Sequence, residues 1–344
     1  MIINKIMIVV RAPLRISFVG GGTDLPDFYH KHQGAVLSVT IDKYVYLVIN
    51  PTPMISGISA RYSITETVDH PNKLQHTRIR AALNELGIKS HIEIGSFASI
   101  LSQTGLGSSA SFSVALMKGL NLHKNNKKLS PKETAEAACH LELGLLSEPI
   151  GKQDQYASAI GGFNIFEFNP DESVNIKPIF LGFEVSSKLE DHLLLFFTGI
   201  TRSASAVLDK QRINIDKKLK EYKEMTTMVP FFEKELLAGN IKGMAKILHK
   251  GWLLKKSLSK DISNNVIDKL YESGLKSGAW GGKILGAGGG GCLLFLAPPK
   301  NHKVIRAKIL QKAKKNKLKD FQEIPVKFVQ SGVEVLFNDN HTVL

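Results

Sequence analysis

The stretch Gln103-Thr104-Gly105-Leu106-Gly107-Ser108-Ser109-Ala110-Ser111 limits what this chain can fold into more than any other. Gly105 and Gly107 stand two apart, so the backbone can turn sharply and approach a ligand with no Cβ in the way. Small hydroxyl residues, the types that cap a helix N-terminus, follow at once. Phe112, Val114, Ala115, Met117 and Leu120 then have the spacing of an amphipathic helix. A glycine-rich turn opening a helix aims several N–H groups and the positive end of the helix dipole at one spot, which is a cradle for phosphate. No Lys-Ser/Thr pair closes it, so it is not a Walker A loop. Taken alone, the same residues also fit an ordinary helix start after a tight turn.

Two more glycine-rich stretches flank it. Ile6–Val10 and Leu14–Val19 read as extended segments ending in Gly20-Gly21-Gly22-Thr23-Asp24, where Asp24 can accept hydrogen bonds from hydroxyls or cap the next helix. Far downstream, Gly286-Ala287-Gly288-Gly289-Gly290-Gly291 formally matches G-x-G-x-x-G. It precedes an apolar strand rather than a helix, and Gln311 stands near the position of the acid, so a dinucleotide fingerprint is rejected. Between the loops, Val36–Ile41 and Tyr44–Ile49 suggest a hairpin turning at Asp42-Lys43. Arg78–Leu86 reads as a helix closed by Gly87. Ser130-Pro131-Lys132-Glu133 matches a capping box with proline at the first helical position. Its helix carries Glu142 near its end, and Glu148–Tyr156 then gathers polar and ionisable residues, Asp154 among them. Strands are expected at Phe163–Phe168, His192–Thr198, Val326–Phe328 and Val333–Phe337, and helices from Ser203 to about Gly278 and over Val304–Leu318. The change from strand-rich to helix-rich near residue 200 suggests domains of 1–200 and 201–344.

At 344 residues, 43% hydrophobic and 22% charged, the chain has the make-up of a soluble globular protein with room for two domains. Its formal charge of +14 favours anionic ligands, but the lysines are scattered along helix faces and no nucleic-acid-binding motif is present. Cys139 and Cys292 are far apart in apolar surroundings, which fits reduced thiols in the cytoplasm. Met1–Val10 is too short and lacks the cleavage pattern of a signal peptide, and no stretch approaches the roughly 18 apolar residues of a membrane span.

Three glycine loops with isolated carboxylates between them suggest phosphoryl transfer, and here the residues resemble a known family. Ala12-Pro13-Leu14-Arg15 through Asp24, Gly105–Ala110 and Leu285–Cys292 are similar to the three signatures of the GHMP kinases, in their order. The proline usual before the second signature is missing from Ser99-Ile100-Leu101-Ser102. Gly20–Pro26, Gly151–Tyr156 and Phe197–Ala204 resemble the branch of sugar-1-kinases acting on D-glycero-D-manno-heptose 7-phosphate. The resemblance implies a two-lobed α+β fold, with an N-terminal domain like ribosomal protein S5 domain 2 and a ferredoxin-like C-terminal domain.

It also implies an ATP- and Mg²⁺-dependent kinase whose partners are ATP and a sugar phosphate, with neither nucleic acid nor membrane. Fucokinase- and galactokinase-like activity on a neutral sugar, or a silent sensor on the same fold, are the alternatives. The implied nucleotide site is Thr104, Gly105, Leu106, Gly107, Ser108, Ser109 and Ala110. Ser109 and Glu142 would hold the metal, with Glu148 as rival ligand. Asp154 would orient or deprotonate the anomeric hydroxyl, and Arg15 would pair with it and stabilise transferring charge. Gly22, Thr23, Asp24, Arg202, Gly288 and Gly289 would contact the sugar, with Arg202 on its own phosphate.

Overall fold

The computed structural model describes residues 6–101, 103–202 and 204–338. The expectations for Met1–Lys5, Ser102 and Ser203 therefore fall outside the described residues. The architecture is α+β, built on two sheets.

The apolar runs at the start form one strand, β1 (Ile8–Val19), paired antiparallel with β2 (Gly34–Pro51). The hairpin expected at Asp42-Lys43 is absent, because β2 runs straight through it. A two-residue hairpin needs positive φ, which favours Asn or Gly, and Asp-Lys supplies neither. Instead the register slips: Leu14 pairs with Ile41 and Pro13 with Tyr44, so Asp42 and Lys43 bulge. The bulged Asp42 donates its backbone N–H to the Lys327 carbonyl and accepts the Lys327 N–H on its side-chain carboxylate. On its other side β2 is shared. Its first half pairs β6 (Phe163–Phe168) and its second half β5 (Ile92–Ala98).

The remaining strands of this sheet are β3 (Ile58–Arg61), β4 (Thr65–Val68), β7 (Val174–Ile179) and β12 (Glu334–Asn338). The last pairs with β1, so Glu334–Asn338 returns to the first sheet. The strand expected at Val326–Phe328 is only a single bridge between Phe328 and Ile41. The second sheet has the order β11 (Gln322–Glu323), β8 (Leu193–Phe197), β10 (Cys292–Leu296) and β9 (Gly281–Ile284), all antiparallel.

The helices are α1 (Pro26–Tyr29), α2 (Thr77–Glu85), α3 (Ser108–Asn125), α4 (Pro131–Cys139), α5 (Gln153–Ile160) and α6 (Phe183–Asp191). The helical half adds α7 (Ala204–Ile213), α8 (Leu219–Leu237), α9 (Ile241–Leu258), α10 (Asn265–Lys276) and α11 (His302–Lys315). The capping box at Ser130 and Glu133 forms with both bonds. Beyond α4 the chain widens into a π-helical turn, His140–Leu145, which carries Glu142. Among the described residues no helix is long and apolar enough to cross a membrane.

Among the described residues three hydrophobic clusters hold these parts together, and the middle one joins the sheets. It packs Leu14, Ile16 and Phe18 of β1 with Val229 and Phe232 of α8 and Leu294 of β10, and it takes in Leu106 and Leu285 from two glycine loops. Phe232 is fully buried and stacks on Phe18 at 5.2 Å between ring centroids. Phe232→Ala would open a cavity in this joint, and we expect a loss of about 3–5 kcal/mol of stability in chemical denaturation.

Candidate active site

The position of the site follows from one irregularity in β1. Pro13 has no N–H, and the register shift beside it frees its carbonyl, which accepts hydroxyl bonds from Ser111 on α3 (2.8 Å) and Ser158 on α5 (2.9 Å). Both helices are thereby fixed to the strand that carries Arg15. The Arg15 side chain is only 4% exposed. Its Nε and Nη2 donate to the two carboxylate oxygens of Asp154, on the first turn of α5, at 2.7 and 2.6 Å. Its Nη1 donates to the Gly105 carbonyl at 2.6 Å, and its backbone N–H to the Leu106 carbonyl at 2.9 Å. The residues implied as base, cation and phosphate loop are thus brought together by one guanidinium.

Gly105 has φ +79°, and a Cβ there would stand 2.5 Å from the Leu285 carbonyl oxygen. Only glycine lets this loop touch the third glycine loop. Gly107, also left-handed, precedes α3 without a side-chain cap, which leaves the first-turn N–H groups of α3 free of any capping side chain. Gly105, Gly107, Ser108, Ser109 and Ala110 line a cleft of about 1080 Å³. Leu106 is instead a core residue, and Thr104 is buried beneath the loop, its carbonyl accepting from Cys292 N–H at 2.8 Å.

The same cleft is lined by Gly22, Asp24, Arg202 and Gly288. Asp24 is buried, and burial raises its carboxyl above the usual range. It already accepts from Gly22 N–H (2.9 Å) and from the Gln153 amide (2.9 Å) and backbone (3.2 Å). Thr23 points away, its hydroxyl donating to the Gly20 carbonyl at 2.8 Å and accepting from Ala35 N–H at 3.0 Å. A Cβ on Gly289 would face Asp261, Arg202 and Val207 rather than open space. Arg202 is exposed at the cleft wall.

Glu142 is fully buried and accepts from Ser113 Oγ (2.7 Å), Arg78 Nε (2.9 Å) and the Gln155 amide. Arg78 also donates to Glu148 at 2.6 Å, so one guanidinium bridges the two rival carboxylates. Burial raises the Glu148 carboxyl, while Arg78 opposes the shift. Ser109 stands one helical turn before Ser113, on the same face of α3. Hydroxyl and carboxylate oxygens of this kind suit a hard cation. Among the described residues no cluster of three His, Cys, Asp or Glu is assembled, so water and phosphate oxygens would complete a Mg²⁺ shell. Ser109 and Glu142 both line the cleft, and their oxygens are of the kind Mg²⁺ takes.

Several cleft residues carried no distinctive signal in the sequence. Arg78 read as an ordinary helix residue and Lys255 as one of many helix lysines. Gln211 is fully buried, donates to the Ala287 carbonyl at 3.0 Å and keeps an unpartnered Oε1 among the described residues. Tyr62, His76 and Phe112 form an aromatic wall, with His76 stacked on Phe112 at 4.9 Å.

The family described as GHMP kinases N terminal domain matches residues 74–162, and that described as GHMP kinases C terminal matches 232–316. A D-glycero-alpha-D-manno-heptose 7-phosphate kinase of Campylobacter jejuni is 29% identical over 86% of this chain and 91% of its own. The bifunctional fucokinase/GDP-fucose pyrophosphorylase of Arabidopsis thaliana is 28% identical over 84% of this chain, which spans 30% of that protein. A crystal structure of a D-glycero-D-manno-heptose 1-phosphate kinase from Bacteriodes thetaiotaomicron superposes with a TM-score of 0.77 at 22% identity, covering 96% of this chain and 99% of that one.

The Arg78 bridge generates its own test. Arg78→Met would leave the buried Glu142 without its cation, and breaking such a pair costs about 3–5 kcal/mol. Thermal or urea denaturation should show a loss of that size, with Arg78→Lys recovering only part because an ammonium lacks the fork that spans both carboxylates.

Proposed function

The chain belongs to the GHMP kinases and is an ATP-dependent kinase, and on that premise we propose that it phosphorylates the anomeric C1 hydroxyl of D-glycero-D-manno-heptose 7-phosphate. The observation that carries the reading is the Arg15–Asp154 pair held against the Gly105 carbonyl at the wall of the cleft. Phosphoryl transfer depends on positioning and charge stabilisation more than on covalent chemistry, and this arrangement offers both. The backbone N–H groups at the start of α3 would hold the ATP phosphates, with the base against the wall of Tyr62, His76 and Phe112. Mg²⁺ held by Ser109 and Glu142 would neutralise charge on the β- and γ-phosphates.

Asp154 would accept a hydrogen bond from the sugar hydroxyl and take its proton as the oxygen attacks. Arg15 would keep that carboxylate aimed and offset charge on the transferring group. The Gln211 Oε1 gives sugar hydroxyls a buried acceptor beside Gly22. For the far end of the substrate, Arg202 would meet the phosphate dianion with a permanent charge. A neutral sugar such as fucose is the second reading, favoured by the resemblance to the plant fucokinase. The domain division we propose, 1–200 and 201–344, puts the ATP loop in the first part and the third glycine loop in the second.

Side-by-side kcat/KM values for heptose, heptose 7-phosphate, fucose and galactose with ATP test the substrate, and heptose 7-phosphate should lead. A neutral sugar in first place overturns the heptose phosphate reading. Arg202→Ala should raise KM for the sugar phosphate by about 10- to 150-fold and leave KM for ATP unchanged.

Asp154→Asn keeps the shape and removes the proton acceptor. Its kcat should fall by about 10²- to 10⁴-fold with ATP affinity nearly intact, as measured by steady-state kinetics and calorimetric titration. Turnover within a few-fold of the parent would make Asp154 a structural partner of Arg15 only.

A further inference from the structure

Among the described residues two lysines are buried, and they are used differently. Lys283 on β9 spends its ammonium on two backbone carbonyls, those of Ser17 (3.0 Å) and Phe18 (2.9 Å), and so ties the second sheet to β1. Lys255, on the last turn of α9, is 6% exposed and lines the cleft. Among the described residues its ammonium makes one hydrogen bond, to the Gly286 carbonyl at 2.6 Å, and no ion pair. A lysine is rarely buried unless paired, and this one keeps two N–H donors in hand.

Its position is informative. Gly286 belongs to the third glycine loop and abuts Gly105 of the second, so close that a Cβ on Gly286 would stand 2.7 Å from the Gly105 Cα. Arg15 bonds the Gly105 carbonyl, and Lys255 bonds the Gly286 carbonyl. The two cations therefore flank one contact between the loops, and Lys255 interacts with the charges of Asp24, Asp154 and Arg15. In the kinase reading above, the phosphoryl group would pass from the cradle at Gly105 to an acceptor at Asp154 beside this contact.

We propose that Lys255 is a second catalytic cation, donating from its ammonium to the equatorial oxygens of the transferring phosphoryl group opposite Arg15. This rests on the kinase reading of the Gly105 loop and Asp154, not on the identity of the sugar. The charge spread over those oxygens is what a phosphotransferase must stabilise, and a poorly hydrated ammonium does so strongly. Burial lowers the Lys255 ammonium to about 8, with Arg15 adding to the shift, while Asp24 and Asp154 oppose it. Lys283, itself lowered by burial, is the remaining cation facing it. The charged form is present below that value and lost above it, so kcat/KM should fall as pH rises through about 8.

The test uses Lys255→Gln, whose amide can keep the Gly286 bond without the charge, and Lys255→Arg, which keeps the charge. In Lys255→Gln, kcat should drop by about 10²- to 10³-fold with KM for ATP within a few-fold, and the alkaline fall of kcat/KM should disappear. Lys255→Arg should restore part of kcat. Independently of any acceptor, the affinity for ADP with aluminium fluoride, a mimic of the transferring group, should weaken at least 10-fold in Lys255→Gln while that for ADP alone holds. If no sugar is phosphorylated by the parent, the substrate reading fails and the aluminium fluoride comparison still decides on Lys255. Equal loss of affinity for ADP and its aluminium fluoride complex, or an unchanged kcat with the alkaline fall retained, would overturn the proposal and leave Lys255 a structural tie like Lys283.

Discussion

A buried guanidinium is the constraint on which the site depends. Arg15 cannot leave water without partners for its donors, and it finds them in the two oxygens of Asp154 and the Gly105 carbonyl. Those partners come from α5 and from the loop before α3, two elements already drawn to β1 by the Pro13 carbonyl. Satisfying one charge thus sets the distance between a carboxylate and the second glycine loop. The bidentate fork fixes orientation as well, because a planar guanidinium aligns the carboxylate it holds.

The same logic is repeated on the other wall. Arg78 crosses from α2 to bridge Glu142, in the π-helical turn after α4, and Glu148 in the segment that follows. Neither carboxylate is neutralised by its own neighbours in sequence, and each is buried enough that an uncompensated charge would be costly. The cleft is therefore walled by paired charges whose partners come from distant parts of the chain. Lys255 and Arg202, which make no ion pair with a carboxylate among the described residues, face it from the second half of the chain.

Close backbone contact makes the joint between the halves. Gly105 and Gly286 meet with no room for a Cβ, Cys292 N–H donates to the Thr104 carbonyl, and Leu106 and Leu285 enter the same hydrophobic cluster. The glycines are needed for this approach of one loop to the other. The polar face of each loop can then line the cleft while its apolar residue anchors the core.

By itself the sequence determined the local parts, because their signals are local. The capping box at Ser130, the glycine turn ahead of α3, the strand Phe163–Phe168 and the helix lysines all follow from residue type and short spacing. It also determined which family pattern the three loops follow, since glycine, hydroxyl and carboxylate residues recur in a fixed order. Tertiary structure alone decided the rest. Asp42-Lys43 has the polarity of a turn, but pairing with β1 on one side and with β5 and β6 on the other pulled β2 straight through it. That Glu142 and Glu148 share one cation became visible only in the fold, where Arg78, 64 and 70 positions away, bridges both. Lys255 looked like any solvated helix lysine until the packing of α9 on β9 removed it from water. Burial and long-range pairing depend on which surfaces meet, and no short-range pattern records that.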